Sequence, residues 1–513
     1  MSLGPSAGYP LLLGFAGLLI LVSVYVAKRF PLSDVDELLA AGRSVPFGLT
    51  AASVFVAWVW TTTIMGATEA GFWFGVSGGF NYGWAAAIPF FLFVPLAMRI
   101  RRLMPRCTTF VEFARERFDN RLAKVLTVYG TVLVLYVAME QSVGIGYVFQ
   151  YAFNMPYKPV AFLAGLIFAS YIAIAGLRGS IYNSVLQFML ITAVMFVIVP
   201  LILSRVGTGW LYERLVDVVT NPNNPNHNPD ALNWFSASGW RYGFAYIGSA
   251  VAQIFLSQGY YSTAVAAGSR RALLWAYIVG GALAWIPIPL MSGNVLGLTG
   301  LAMGLTPDKI PVTTGTSAVV MSTYMGVTGA VMFALLITMA GITTGANGLA
   351  GLQAVMTVDV YERLRPAASE GAKIRFARII TIVWGVIIGL LGMSLEGVSL
   401  LLIDIWCGIL LTAPCAALIL GVFWRKVSPK GALLSIPVGL AGGILAYFAV
   451  KDPNLNWVVG NLVALWLPAI FLAAWAVFER YQFDFSRLAV YEPGHRVRLQ
   501  AGGPGGEEVE AEL

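Results

Sequence analysis

Apolar runs of about 18 or more residues recur along almost the whole of this 513-residue chain, and each can cross a hydrocarbon core of ~30 Å as a helix. That one feature removes most folds. A water-soluble domain could not keep such runs on its surface, and a β-barrel would alternate apolar and polar residues where these runs are continuous. With 58% hydrophobic and 11% charged residues, the chain belongs in lipid. The expected fold class is an all-α polytopic protein of the cell's inner membrane.

The runs place spans at 10–27, 47–77, 79–98, 122–151, 157–175, 182–204, 239–264, 273–302, 314–357, 376–395, 398–424, 431–450 and 456–478, which makes thirteen crossings. With the N-terminus outside, 26 of the 32 Lys and Arg fall on the cytoplasmic side, among them Arg99, Arg101, Arg102, Arg270, Arg271, Arg425 and Lys426. Six fall on the other: Lys158, Arg205, Arg214, Arg241, Lys309 and Lys451. Basic loops are retained in the cytoplasm, so the expected topology has the N-terminus outside and the C-terminus inside. The net charge of +7 then reports topology and not a nucleic-acid surface. No basic residue precedes the first run and no small-x-small cleavage pattern follows it, so it reads as a retained span.

Segment 207–238 holds NPNNPNHNPD, too polar and Pro-rich to cross, and is expected to be an irregular extracellular cap. The tail 484–513 ends in Gly, Pro and Glu with nothing apolar to bury, and is expected to be disordered in the cytoplasm. Cys107, Cys407 and Cys415 show no paired spacing and read as packing thiols.

Three spans carry polar groups that a helix facing only lipid would avoid. Span 47–77 contains Thr61-Thr62-Thr63, Gly66, Glu69 and Gly71, the composition of a discontinuous helix lining a cavity. Small residues and Thr also serve close helix packing, so each taken singly leaves both readings open. Span 314–357 puts Ala340, Thr343, Thr344 and Asn347 on one helical face. A dehydrated alkali cation needs about five or six oxygens, which hydroxyls and freed carbonyls supply without a carboxylate cage. Span 239–264 pairs Gln258 with a glycine and Tyr260-Tyr261, a second irregular segment suited to a polar ligand. Glu140-Gln141 and Asp404 are the remaining polar groups at membrane depth, and such groups are functional candidates by default, with pairing inside the bundle as the alternative.

The arrangement of these segments over residues 10–478 resembles the sodium/solute symporter family. Ala340-x-x-Thr343-Thr344, with its two threonines sixteen and fifteen residues before Asp359 of TVDVY, is similar to that family's Ala-x-x-Ser-Ser/Thr sodium motif and the T-x-D-x-Y helix end that follows it. The resemblance implies a LeuT-type core of two inverted five-helix repeats, at 47–206 and 239–424. One extra helix precedes them (1–46, with its cytoplasmic loop) and two follow (425–483). It also implies a sodium site formed by Ala340, Thr343 and Thr344 with the helix-break carbonyls of Val56 and Val59.

Within the family, GRSVPFGL, WVWTTTIMG, FGVSGGF, TFVEFARERF, QGYYSTAVAA and GNLVAL look like the urea-transporter branch. Ser262-Thr263 replaces the Gln-Arg pair of the sugar and proline branches. Ser184 stands where some sodium-coupled members carry Asp, which leaves sodium and proton both open as the coupling ion. Glu69 replaces an expected neutral residue, and with Trp58, Trp60 and Tyr82 it would instead suit choline or a polyamine.

The expected function is therefore secondary active symport of a small polar solute, urea by preference, with no cofactor beyond the coupling ion. The solute is expected near Trp60, Thr63, Glu69, Tyr82, Gln141, Gln258, Tyr260 and Asn347. A passive channel would need no ion site, and a sensor would need an appended signalling domain. An intramembrane enzyme is not expected, since His227 and His495 both lie outside the spans.

Overall fold

The computed structural model describes residues 4–30, 34–306 and 309–492. Among these there is no β-strand, only an isolated bridge between Val45 and Ala267. Nine of the described helices are long and apolar enough to cross a bilayer, or eleven when each of two bent pairs is taken as one span. The bent pairs are Phe47–Trp58 with Thr61–Phe74, at 47°, and Leu400–Leu411 with Ala413–Phe423, at 56°.

The expected thirteen includes two spans that helix length and composition do not separate. Tyr157–Val206 is one continuous run of 50 residues, about 75 Å if straight, which is more than twice the hydrocarbon thickness. It breaks at Gly176, whose φ of 57° and ψ of −149° suit a residue with no Cβ and divide the expected spans 157–175 and 182–204. The other is Ala237–Phe255 followed by Gln258–Ala266, interrupted at Leu256 and Ser257.

Burial sorts the helices into centre and rim. The most apolar window is 67% buried inside the protein for Thr313–Leu364 and 61% for Val76–Leu103, against 28% for Pro429–Ala449 and Asn456–Phe478 and 33% for Pro5–Arg29. The flanking helices therefore line the lipid side, and the broken helices sit inside. Arg270–Ala302 carries π-helical turns at Ala276–Leu283 and Ser292–Gly297, and its second π turn packs on Thr61–Phe74. A Cβ on Gly71 would stand 2.1 Å from the Gly293 carbonyl oxygen, so this crossing exists only because both residues are glycine.

The residues expected on the cytoplasmic side meet at one end. Arg43 donates to the Pro105 carbonyl (2.9 Å), Arg101 to that of Ala267 (2.7 Å) and Arg117 to that of Gly421 (2.8 Å). Burial lowers the pKa of Arg117 to about 10, which still leaves it charged at neutral pH.

Two expectations about connections change. Segment 207–238 is not irregular throughout: Thr208–Thr220 is a helix, and only the Asn/Pro stretch after it is built of turns. Those turns cap the opposite end of the bundle, with Ala231 accepting from the Val76 N–H (2.8 Å) and Asn228 donating to the Trp73 carbonyl (3.2 Å). The tail is ordered at its start, because Phe485 and Leu488 are apolar and buried and the Tyr491 hydroxyl donates to Glu112 (2.6 Å). The rest of the expected disordered segment, 493–513, lies outside the described residues. All three cysteines are buried and unpaired.

Candidate functional site

The first break opens at Val59 and Trp60, where β-branched and aromatic side chains meet the threonine cluster. Val59 and Trp60 leave the helical region (ψ 89° and 168°), which frees backbone groups at membrane depth. Side chains take up several of them. The Thr63 hydroxyl accepts from the Trp60 N–H (2.9 Å) and donates to the Trp58 carbonyl (3.0 Å), while Gln141 Oε1 accepts from the Thr61 N–H (2.8 Å). Trp285 Nε1, on Arg270–Ala302, donates to the same Trp58 carbonyl at 2.6 Å.

The Ala57 carbonyl is the hub. It accepts from Trp60 Nε1 (2.8 Å) and the Tyr260 hydroxyl (3.0 Å), and the Thr344 hydroxyl stands 3.3 Å from it and 3.4 Å from the Val59 carbonyl. The second broken helix of the site, Ala237–Phe255 with Gln258–Ala266, and Thr316–Val355 thus both converge on the first break. Such a set of neutral oxygens, two freed carbonyls and a hydroxyl, has the hard-donor chemistry an alkali cation takes. Among the described residues no group of three or more His, Cys, Asp or Glu could hold a metal instead.

The expected site residues are not all brought together. Val59, Thr344, Trp60, Thr63, Gln141 and Tyr260 meet at this break. The Val56 carbonyl accepts from the Val59 N–H (3.2 Å), closing the last helical turn, and the carbonyl nearest the Thr344 hydroxyl is that of Ala57, the next residue. Thr343 donates to Met339 of its own helix (2.8 Å), and Ala340 is fully buried on the same helix. Tyr82 lies next to the break in an aromatic wall, its ring 4.7 Å from Tyr246 and 6.3 Å from Trp285 between centroids. Asn347 packs at the second break, where a Cβ on Gly259 would stand 2.6 Å from its carbonyl oxygen.

Two expected residues lie elsewhere. Glu69 is buried at the capped end. It accepts from the Thr313 hydroxyl (2.5 Å) and the Leu401 N–H (3.2 Å), so it caps Leu400–Leu411 and does not face Trp58 or Trp60. Gln258 accepts from the Phe110 N–H (2.9 Å) and donates to the Thr108 carbonyl (2.8 Å), binding the basic end of the bundle. Beside it Asp359 pairs with Arg115 (2.8 Å) and accepts from the Thr109 hydroxyl (2.6 Å), which fixes the short helix Phe110–Arg117 across that end. Cys107 lies in the same corner, and burial pushes its thiol well above the ordinary range.

A residue set the sequence did not assemble surrounds Asp404. Its carboxylate accepts from Gln253 Nε2 (2.6 Å) and from the hydroxyls of Tyr136 (2.9 Å) and Tyr246 (3.2 Å), all buried or half-buried. Gln253 stands three residues before the second break begins at Leu256, and that adjacency is the signal that could have found it.

The sequence profile described as Sodium:solute symporter family matches residues 38–439. The chain belongs to the sodium:solute symporter family. It is accordingly a multi-pass membrane protein of the cation-coupled symport class and not an enzyme. Among its relatives, the urea-proton symporter DUR3 of Oryza sativa subsp. japonica is 25% identical, over 94% of this chain and 72% of that protein. The urea active transporter of Saccharomyces cerevisiae is also 25% identical, over 94% and 70% respectively. The sodium/glucose cotransporter of Vibrio parahaemolyticus is 21% identical over 88% and 87%.

A solved structure of a Na+-coupled sialic acid symporter in its substrate-bound outward-open state matches with a TM-score of 0.71 and 18% identity, covering 93% of this chain and 98% of that one. Mhp1, a nucleobase-cation-symport-1 family transporter in a closed conformation, matches at 0.52 and 15% identity, over 88% and 96%. The fold of this symporter is therefore the LeuT-type five-plus-five inverted repeat.

Proposed function

We propose that this symporter carries a small polar solute, urea by preference, into the cell by alternating access, with sodium as the coupling ion. The observation that carries the reading is the approach of the Thr344 hydroxyl to the freed Ala57 and Val59 carbonyls at the first break. A proton needs one basic atom, whereas converging neutral oxygens suit an alkali ion; Ala340, Thr343 and Val56 lie within a turn of these groups and belong to the cation site in this reading. Relatives named as urea transporters support the solute, and the name of the rice protein keeps the proton as the second candidate for coupling.

The solute site in this reading is formed by Trp60, Thr63, Tyr82, Gln141, Tyr260 and Asn347. Urea has N–H donors, one carbonyl and no apolar body, so it needs several hydrogen bonds in a narrow aromatic slot. A wrong solute would leave buried groups unpaired at ~1–3 kcal/mol each. An organic cation such as choline is the alternative, but Glu69, the residue that suggested it, is engaged with Thr313 and Leu401. The repeats at 47–206 and 239–424, the inner membrane and an external N-terminus belong to the same proposal.

Uptake of labelled urea, choline, putrescine and proline into proteoliposomes tests it, with sodium and proton gradients imposed separately. Urea uptake stimulated by sodium is expected; uptake of choline or putrescine but not urea would overturn the solute assignment.

A further inference from the structure

Besides Glu69, two carboxyl groups lie within the bundle with no basic partner among the described residues. Glu140 and Asp404 are both fully buried, and neither joins an ion pair among the described residues. They share one cluster. Tyr136, which donates to Asp404, is one helical turn before Glu140 on the same face of Asn120–Phe153, and the next residue, Gln141, bonds to Thr61 at the first break.

Their hydrogen bonding is unequal. Asp404 accepts three hydrogen bonds, whereas no donor stands in hydrogen-bond geometry to either oxygen of Glu140, although the Tyr136 and Thr62 hydroxyls lie near it. A buried carboxyl at membrane depth persists when it is paired or when it acts. The other unpartnered buried atoms of the cluster tell what is missing. Gln253 gives its amide N–H groups to Asp404 and Ser249, which leaves its Oε1 unpaired, and the Thr62 hydroxyl beside Glu140 and Tyr82 is unpaired as well. Three acceptor oxygens and two hydroxyls, those of Thr62 and Tyr242, therefore lack partners in this cluster, so acceptors outnumber donors.

We infer that Glu140, with Gln253 and Asp404, receives the N–H groups of the transported solute, and that this restricts transport to small planar solutes carrying several N–H donors on one carbon. The inference rests on the solute site proposed at the first break and deepens it. A carboxylate takes two parallel N–H bonds from a planar fork, the geometry by which guanidinium groups bind it. Urea presents such a fork without charge and the guanidinium ion presents it with charge. The Thr62 hydroxyl can donate to urea's carbonyl, and the faces of Tyr82 and Tyr246 border the cluster as a wall for a flat ligand. A quaternary ammonium has no N–H to give.

Competition against labelled solute in proteoliposomes tests this. Urea, acetamide and acetone have similar size and shape but fall from four N–H donors to two to none. The wild-type protein should be inhibited in that order, with acetone at least a hundredfold weaker than urea, guanidinium effective and choline not. Equal inhibition by urea and acetone would overturn the inference without any variant. Glu140→Gln keeps the shape of a side chain that has no internal hydrogen bond to lose; it should raise the half-inhibitory urea concentration tenfold or more and leave the half-activating cation concentration within twofold. An unchanged urea value in Glu140→Gln, with coupled urea uptake intact, would sink the inference and spare the proposed function. If guanidinium but not urea is carried, and Glu140→Gln weakens it, the inference stands and the urea assignment falls.

Discussion

Thr343 and Thr344 adjoin in sequence but have different duties. Thr344 reaches the carbonyls of Ala57 and Val59, whereas Thr343 is tied to Met339 of its own helix. Thr344→Ala should therefore raise the half-activating sodium concentration about tenfold, the loss of one oxygen ligand worth ~1.5 kcal/mol, with Thr343→Ala smaller and the double variant largest. Sodium activation unchanged in the double variant would remove both residues from the cation site. Gln258 makes the opposite case: a glutamine beside a helix break looks like a solute ligand, but its amide closes on Thr108 and Phe110. Gln258→Ala leaves a buried N–H unpaired and should cost ~1–3 kcal/mol, seen as a lower melting temperature in detergent, with the half-saturating urea concentration nearly unchanged. A rise in that concentration at constant stability would return Gln258 to the solute site.

Among the elements, the short helix Phe110–Arg117 acts as a clasp on the basic end. A Thr109–Glu112 capping box forms it, Asp359 holds it through Arg115 and Thr109, and Gln258 ties it to the second broken helix. Asp359→Ala should release the clasp, and the native Cys107 reports it: the buried, high-pKa thiol resists alkylation at neutral pH while the end is closed. In a background with Cys407 and Cys415 replaced by Ala, the labelling rate of Cys107 should rise at least tenfold; an unchanged rate would mean Asp359 does not hold the clasp. The spans themselves were legible because each is an apolar run, and the first break because Thr61–Thr63 and Gly66 interrupt one. The break at Gly176 was readable only as a gap between two runs. The helix Thr208–Thr220 was missed because it is amphipathic, neither apolar enough for a span nor as broken as the Asn/Pro stretch beside it. Partners of Asp404 from two other helices were invisible, since nothing local in a sequence says that Tyr136, Tyr246 and Gln253 share one carboxylate.

The whole molecule is a central set of broken helices inside a rim of lipid-facing ones, with basic residues gathered at one end and the 207–238 cap at the other. A single thiol introduced in the Asn/Pro stretch of that cap should react with an impermeant reagent from outside the cell; reaction only from the cytoplasmic side would invert the topology. Coupling is what separates such a molecule from a channel, and a passive pore would have no need of the cation site proposed at Thr344. The most direct test loads proteoliposomes with labelled urea at equal concentration on both sides, clamps the pH, and imposes an inward sodium gradient. Internal urea should rise above the external level and fall back when the sodium gradient is collapsed. Internal urea that stays at the external level under sodium, and under a proton gradient imposed in its place, would contradict cation-coupled urea symport.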